Sequence, residues 1–241
     1  MVRLRSTLYF LILLLITPPY AILGLLTFPL PVFARYRIIS SWAITALRLA
    51  RVVCGIRYRV LGAERIPHRS GIVLAKHQSA WETLALQDIF PPQVWVLKRE
   101  LLWVPFLGWG LAMLSPIAID RKGGRGALEQ LLEQGADRLS RGLWVVIFPE
   151  GTRVAPGKKG KYRPGGATLA VKTGAPVVPV AHNAGELWRR NSFLKYPGTV
   201  TVSIGEPIDP RGMSPGELNA RVEDWIETEM SRIGSPLEPK P

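Results

Sequence analysis

A single cysteine, Cys54, stands in 241 residues, so no internal disulfide can form and the chain suits a reducing compartment. Histidine is nearly as scarce. His68, His77, His182 and that cysteine show no C-x-x-C or H-E-x-x-H spacing, and no dedicated protein-ligated metal site is expected. Phosphate-binding loops are missing too. Neither Gly157-Lys158 nor Gly160-Lys161 has a glycine five residues earlier or a following Ser/Thr, Gly124-Arg125-Gly126 runs on to Glu129 where a dinucleotide fingerprint needs glycine, and there is no G-x-S-x-G elbow. Acidic residues are absent from the first 63 positions, which hold eight arginines; Glu64 is the first carboxylate.

The net charge is therefore +13, with a pI near 10.4. A second basic region, Arg153 to Arg190, carries eight Lys/Arg against Glu186 alone. Such patches attract anionic surfaces, whether lipid headgroups, acidic carrier proteins or nucleic acid. The first is not merely a solvated face, because its arginines flank Leu/Ile-rich sequence. With 47% hydrophobic and 20% charged residues the chain is not disordered, and its length permits one globular domain with an appendage.

Ser6 to Ala34 contains no charged residue. A straight helix of that stretch, at ~1.5 Å per residue, would be ~43 Å long, more than a ~30 Å hydrocarbon core requires. It is not a convincing secretory signal, because the apolar part is long and proline-interrupted and no small-residue cleavage site follows. Thr17-Pro18-Pro19 is expected to break it, and arginines at both ends (Arg3/Arg5, Arg35/Arg37) disfavour a simple crossing. The reading is a kinked or re-entrant anchor continued by an amphipathic helix from Ile38 to Val53, with a single span as the alternative. Leu101 to Ile119 is a second uncharged run, but Pro105, Gly108, Gly110 and Pro116 interrupt it, and a crossing there would separate His77 from the later basic cluster. Its Trp103, Phe106 and Trp109 suit an interfacial or acyl-lining surface, or ordinary core packing.

Beyond residue 55 apolar strand-like runs alternate with helical ones. Strands are expected at Ile56 to Val60, Gly71 to Lys76, Val94 to Lys98, Pro116 to Asp120, Leu143 to Phe148, Val177 to Ala181 and Val200 to Ile204. Helices are expected at Ser79 to Ile89, Gly126 to Ser140 and Gly166 to Lys172. A last one follows the capping signature Ser214-Pro215-Gly216-Glu217. This alternation predicts an α/β fold with a mostly parallel sheet flanked by helices. The expected division is residues 1–55 as membrane-anchoring helices, 56–233 as the α/β domain and 234–241 as a tail.

Two strings carry chemistry. Lys76-His77-Gln78-Ser79-Ala80-Trp81-Glu82 places a histidine and a carboxylate five apart, just past a predicted strand, where open α/β folds keep their sites. A neutral imidazole there can take a hydroxyl proton while the carboxylate holds the ring and stabilises the imidazolium. The competing reading is a helix cap, Ser79 at the N-cap and Glu82 at N3. Phe148-Pro149-Glu150-Gly151-Thr152-Arg153 likewise follows a strand, and its arginine suits bidentate phosphate binding. His68 reads as a solvated loop residue, and His182, at a strand end, as structural.

In order along the chain, His77 to Glu82, Lys98-Arg99-Glu100-Leu101 through Asp120-Arg121, Phe148 to Arg153 and Val177-Val178-Pro179-Val180 resemble the four blocks of the glycerolipid acyltransferases, specifically the lysophosphatidic acid acyltransferases of bacterial type. Glu82 stands where most of that family has Asp. The resemblance implies transfer of an acyl group from acyl-CoA or acyl carrier protein to the 2-hydroxyl of 1-acylglycerol 3-phosphate, forming phosphatidic acid at the cytoplasmic face of the inner membrane. It implies His77 and Glu82 as the catalytic pair, with Lys98, Arg121, Glu150, Gly151, Thr152 and Arg153 on the substrate side. No cofactor and no nucleic acid is called for. Rival readings are transfer to another lysophospholipid or to glycerol 3-phosphate, a membrane-associated thioesterase using the same pair on water, and a non-enzymatic lipid- or nucleic-acid-binding protein.

Overall fold

A computed structural model gives the structure of the chain and describes residues 1–120 and 124–234. Seven strands, β1 (Ile56–Leu61), β2 (Ile72–Ala75), β3 (Gln93–Lys98), β4 (Ile117–Ile119), β5 (Trp144–Ile147), β6 (Val177–His182) and β7 (Gly198–Ile204), form one sheet in the spatial order β1-β7-β6-β2-β5-β3-β4. The run from β6 to β4 is parallel throughout. β7 pairs antiparallel with β6, and β1 lies parallel to β7, so these two edge strands run against the rest. Every residue of β2, β5 and β6 is buried, as expected of parallel strands covered on both faces.

Side-chain alternation along β2 divides the core in two. Val73 and Ala75 face a layer made with Trp81, Leu84 and Ala85 of α3 (Trp81–Ile89), whereas Ile72 and Leu74 face Leu131 of α5 (Arg125–Ser140), Leu169 of α6 (Gly165–Thr173) and Leu218, Val222 and Ile226 of α8 (Pro215–Ile233). The expected cap of α8 is complete. The Ser214 hydroxyl accepts from the Glu217 amide, the Glu217 carboxylate accepts from the Ser214 amide, and Pro215 follows the cap.

The first two helices, α1 (Val2–Leu26) and α2 (Val32–Leu49), form an antiparallel hairpin. Gly24 meets Ile39, the Trp42 indole donates to Thr17 Oγ1 at 3.2 Å, and the Tyr9 hydroxyl donates to the Ala46 carbonyl. The expected break at Thr17-Pro18-Pro19 is absent: α1 runs through both prolines and the chain turns instead at Thr27 to Pro31. Each proline costs a backbone bond, but α1 packs on α2 and on α4 (Leu107–Met113) along this stretch, and tertiary packing overrides the local penalty. The amphipathic helix likewise starts earlier than expected, at Val32, and gives way at Ala50 to a short π-helical segment ending at Cys54.

α1 is long and apolar enough to cross a membrane, by length and composition, and only 17% of its most apolar window is buried. Leu4, Leu8, Leu11 and Leu15 stand exposed along it. Tyr9, Tyr36, Ala43 and Leu47, however, are buried in the same core layer as Trp81 and Leu84, so the hairpin and the sheet share one hydrophobic interior. Trp103 is 80% exposed, with Phe106 and Trp109 beside it at the surface, next to the exposed side of α1. The predicted second uncharged run is thus a short 3-10 turn (Arg99–Trp103), then α4 and β4.

Candidate active site

Strand register brings distant parts of the chain to one point. Leu74 of β2 pairs with Ile147 of β5, and Ala75 with Val180 of β6. His77 and Glu150 each lie three residues past the first pair, and His77 and His182 each two past the second. At this sheet edge the His77 amide donates to Glu150 Oε2 at 2.8 Å, the His77 carbonyl accepts from the Val154 amide at 2.8 Å, and His182 Nε2 donates to the Lys76 carbonyl at 2.8 Å. The loop after β5 therefore grips the main chain of His77 on both of its polar groups, and the Phe148 ring stacks on the imidazole, centroids 4.0 Å apart.

The imidazole Nδ1 lies 2.8 Å from Glu82 Oε1. The same oxygen accepts from the Gln78 amide at 2.9 Å and the Ser79 amide at 2.7 Å. Helix cap and histidine partner are thus one carboxylate. The cap differs from the expected box in one respect: the helix begins at Trp81, and the Ser79 hydroxyl accepts from the Trp81 amide rather than from that of Glu82. Burial pushes the Glu82 pKa up, but the electrostatic influence of the neighbouring His182 imidazole, the His77 bond and the Ser79 amide outweigh it and hold the carboxyl below its ordinary range. An ionised Glu82 fixes the proton of His77 on Nδ1 and leaves Nε2 as the nitrogen available to a hydroxyl. His182, fully buried 4.0 Å from Glu82 Oε2, is pushed down by burial, and its Nδ1 accepts from the Ala184 amide, so its ring is neutral.

His77 opens onto a cavity of about 330 Å³ whose walls are mostly apolar, with Thr83 and Gln87 among them. Leu13 and Trp42 come from the N-terminal hairpin, Leu107 and Leu111 from α4, and Trp95 and Leu97 from β3. Arg153 also reaches this cavity, and its buried Nε has no hydrogen-bond partner among the described residues. An apolar chamber with one imidazole and one guanidinium suits a ligand with a long apolar part and an anionic end.

The other sequence-selected residues fall at different depths. Glu150 is buried, its carboxylate held between the His77 amide and the ammonium of Lys76, each at 2.8 Å, and it does not line the cavity onto which His77 opens. Gly151 takes φ +67°, the left-handed turn that glycine adopts freely, and a Cβ there would meet Arg163 at 3.2 Å. Thr152 and Lys98 are exposed, Lys98 as the last residue of β3. Arg121 lies outside the described residues. His68 is exposed in its loop, as expected. Among the described residues no group of three or more His, Cys, Asp or Glu could hold a metal ion.

Sequence reasoning missed Lys76 and Phe148, which reach their partners only through the fold. A signal existed for each, since Lys76 adjoins the histidine and Phe148 begins the second string.

A family model described as Acyltransferase matches residues 57–183, from β1 to the end of β6. The chain is 51% identical over 213 residues to the 1-acyl-sn-glycerol-3-phosphate acyltransferase of Pseudomonas aeruginosa, covering 87% of this chain and 82% of that one. It is 30% identical over 205 residues to the human 1-acyl-sn-glycerol-3-phosphate acyltransferase alpha, covering 83% and 72%. The crystal structure of the 1-acyl-sn-glycerophosphate acyltransferase of Thermotoga maritima superposes with a TM-score of 0.80 at 26% identity, covering 99% of this chain and all of that one.

Proposed function

The chain belongs to the acyltransferase family, and from that premise we propose that it acylates the 2-hydroxyl of 1-acylglycerol 3-phosphate, using acyl-CoA or acyl carrier protein as donor, to form phosphatidic acid. The observation that carries this reading is the His77–Glu82 pair, 2.8 Å apart, opening onto an apolar cavity that Arg153 also lines. His77 Nε2 takes the proton of the acceptor hydroxyl as its oxygen attacks the thioester carbonyl. Collapse of the tetrahedral intermediate breaks the carbon–sulfur bond, and the imidazolium returns the proton to the departing thiolate. Glu82 offsets the positive charge that builds on the ring between these steps. No acyl-enzyme is needed, and no cofactor enters.

Arg153, with Lys98 and Arg121 as further cations, would hold the acceptor phosphate, while the apolar cavity takes an acyl chain. Gly151 and Thr152 shape the turn that presents Arg153, and Glu150 anchors it. The exposed apolar side of α1 and the surface Trp103 support placement on a membrane, and the basic N-terminal segment favours the cytoplasmic face of the inner membrane. Residues 1–55 are then the lipid-facing part and 56–233 the catalytic part of a single folded unit.

The test is thiol release by purified protein offered acyl-CoA, or acyl carrier protein, with a panel of lysolipids. Release that requires 1-acylglycerol 3-phosphate, with phosphatidic acid as product, is the expected result. Equal release without any acceptor would make the protein a thioesterase, and preference for an acceptor lacking a phosphomonoester would overturn the assigned substrate.

A further inference from the structure

The backbone next to His77 carries a cation that the chemistry above does not use. Just past β2, residues 76 and 78 turn to one side, where both line one pocket, and residue 77 turns to the other. Lys76 is accordingly absent from the cavity that His77 lines and is 1% exposed. Three oxygens from three parts of the chain surround its ammonium: Glu227 Oε1 of α8 at 2.7 Å, Glu150 Oε1 at 2.8 Å and the Lys158 carbonyl at 3.3 Å. The Tyr162 hydroxyl donates to the same Glu227 oxygen at 2.8 Å. Glu150 in turn spends its other oxygen on the His77 amide.

A buried lysine is retained where its charge is matched, and one partner alone would have matched it. Here two carboxylates converge on one ammonium, which leaves the cluster one negative charge in excess. Take the lysine away and two carboxylates face each other with no cation between them. Glu150, whose pKa is already raised because burial outweighs the opposing pull of Lys76, would then give way first, either by taking a proton or by swinging off. Either change alters the acceptor of the His77 amide, and with it the placement of a ring that must sit within a fraction of an ångström of its substrate.

We propose that Lys76 is a positioning residue for acyl transfer: from behind the cavity it holds Glu150 against the main chain of His77, and through Glu227 it ties that arrangement to the C-terminal helix α8. This rests on the reading of His77 as the base. Lys76 lines a separate, polar pocket with Gln78, Lys158 and Glu227 and not the cavity onto which His77 opens, so its loss acts on turnover and spares binding of both substrates in that cavity.

The experiment uses the full chain in detergent or vesicles, with kcat and both KM values measured for wild type, His77→Ala, Lys76→Met, Lys76→Met/Glu227→Gln and Glu150→Gln, alongside melting temperatures. Lys76→Met should lose at least ~20-fold in kcat, with each KM within about twofold of wild type. Adding Glu227→Gln removes the surplus carboxylate charge and should restore kcat at least ~5-fold, a recovery that a general loss of stability would not give at an assay temperature well below melting. If Lys76→Met does not fold, Glu150→Gln decides. It leaves Lys76 paired with Glu227 yet weakens the acceptor of the His77 amide, and should lower kcat ~5-fold or more at unchanged KM. Wild-type kcat in folded Lys76→Met or in Glu150→Gln, losses seen mainly in KM, or no recovery in the double variant would overturn the proposal. If His77→Ala itself keeps wild-type turnover, the reading of the base fails instead, whatever Lys76 does.

Discussion

Glu82→Gln asks one carboxylate to declare which of its two jobs matters. Glu82 Oε1 accepts from His77 Nδ1, the Gln78 amide and the Ser79 amide at once, and a glutamine carbonyl can accept the same three. The amide nitrogen would occupy the place of Oε2, which is buried and makes no hydrogen bond among the described residues, so one donor is left without a partner at a cost of about 1–3 kcal/mol. Against this, burying a neutral amide is easier than burying a carboxylate. Stability should therefore fall by no more than about 1–2 kcal/mol. Turnover is another matter. A carboxylate and an imidazolium about 4 Å apart attract by about 4 kcal/mol at an effective permittivity of about 20. A transition state that develops two-thirds of that charge loses about 2.7 kcal/mol in the variant, roughly 100-fold in kcat. Steady-state kinetics with 1-acylglycerol 3-phosphate and acyl-CoA, together with a melting curve, should show that loss with a small change in melting temperature. Near-wild-type kcat in a stably folded variant would reduce Glu82 to a helix cap. Glu82→Asp keeps the charge but draws the carboxylate back by about one C–C bond, ~1.5 Å, and should retain more activity than the glutamine variant.

Arg153→Ala should raise KM for the phosphorylated acceptor ~10-fold or more, for a lost charge-assisted bond of about 1.5–3 kcal/mol, and move the donor KM less; an equal loss toward an acceptor without phosphate would mean a folding defect of the loop. Deleting residues 1–36 should release the chain from membranes and also lower its melting temperature and its turnover of micellar substrate, because Tyr9 and Tyr36 are core residues and Leu13 walls the cavity; a truncated chain with wild-type micellar activity would refute the shared core. His182, held neutral by burial below its ordinary 6.5, adds stability that is present above that value and lost as pH falls, since the unfolded chain takes the proton first. Melting temperature should accordingly drop between pH 7 and about pH 5, and His182→Gln should flatten that drop. An identical slope in the variant would show that His182 does not titrate in this way.

Much of the scaffold was legible because parallel strands buried on both faces need continuous β-branched or apolar runs, and Ile72-Val73-Leu74-Ala75 and Trp144-Val145-Val146-Ile147 are such runs. The contact between His77 and Glu82 was legible for a local reason: the two lie five positions apart, and one tight turn into a helix closes that distance. Locality failed elsewhere. Nothing near Val200 says that β7 should run against β6, and nothing near Pro18 says that packing on α2 and α4 would carry a helix through two prolines. Lys76 finds Glu227 across 151 residues of chain, so a reading based on spacing could only record a lysine beside the histidine. Glu150 meets Lys76 and the His77 amide across more than 70 residues of chain, contacts that spacing within its own turn could not show.

His77 stands just past a strand bonded on both sides, three neighbours deep in a seven-stranded sheet, while the opposite wall of its cavity is made of apolar helices with little beyond them. Amide protons of Ile72–Ala75 should therefore exchange only when the whole domain opens, and those of α1 and α4 far sooner. On warming, selection among acyl chains is expected to loosen at temperatures where the proton-transfer geometry is still intact, so discrimination and turnover will be lost in two stages from one folded chain.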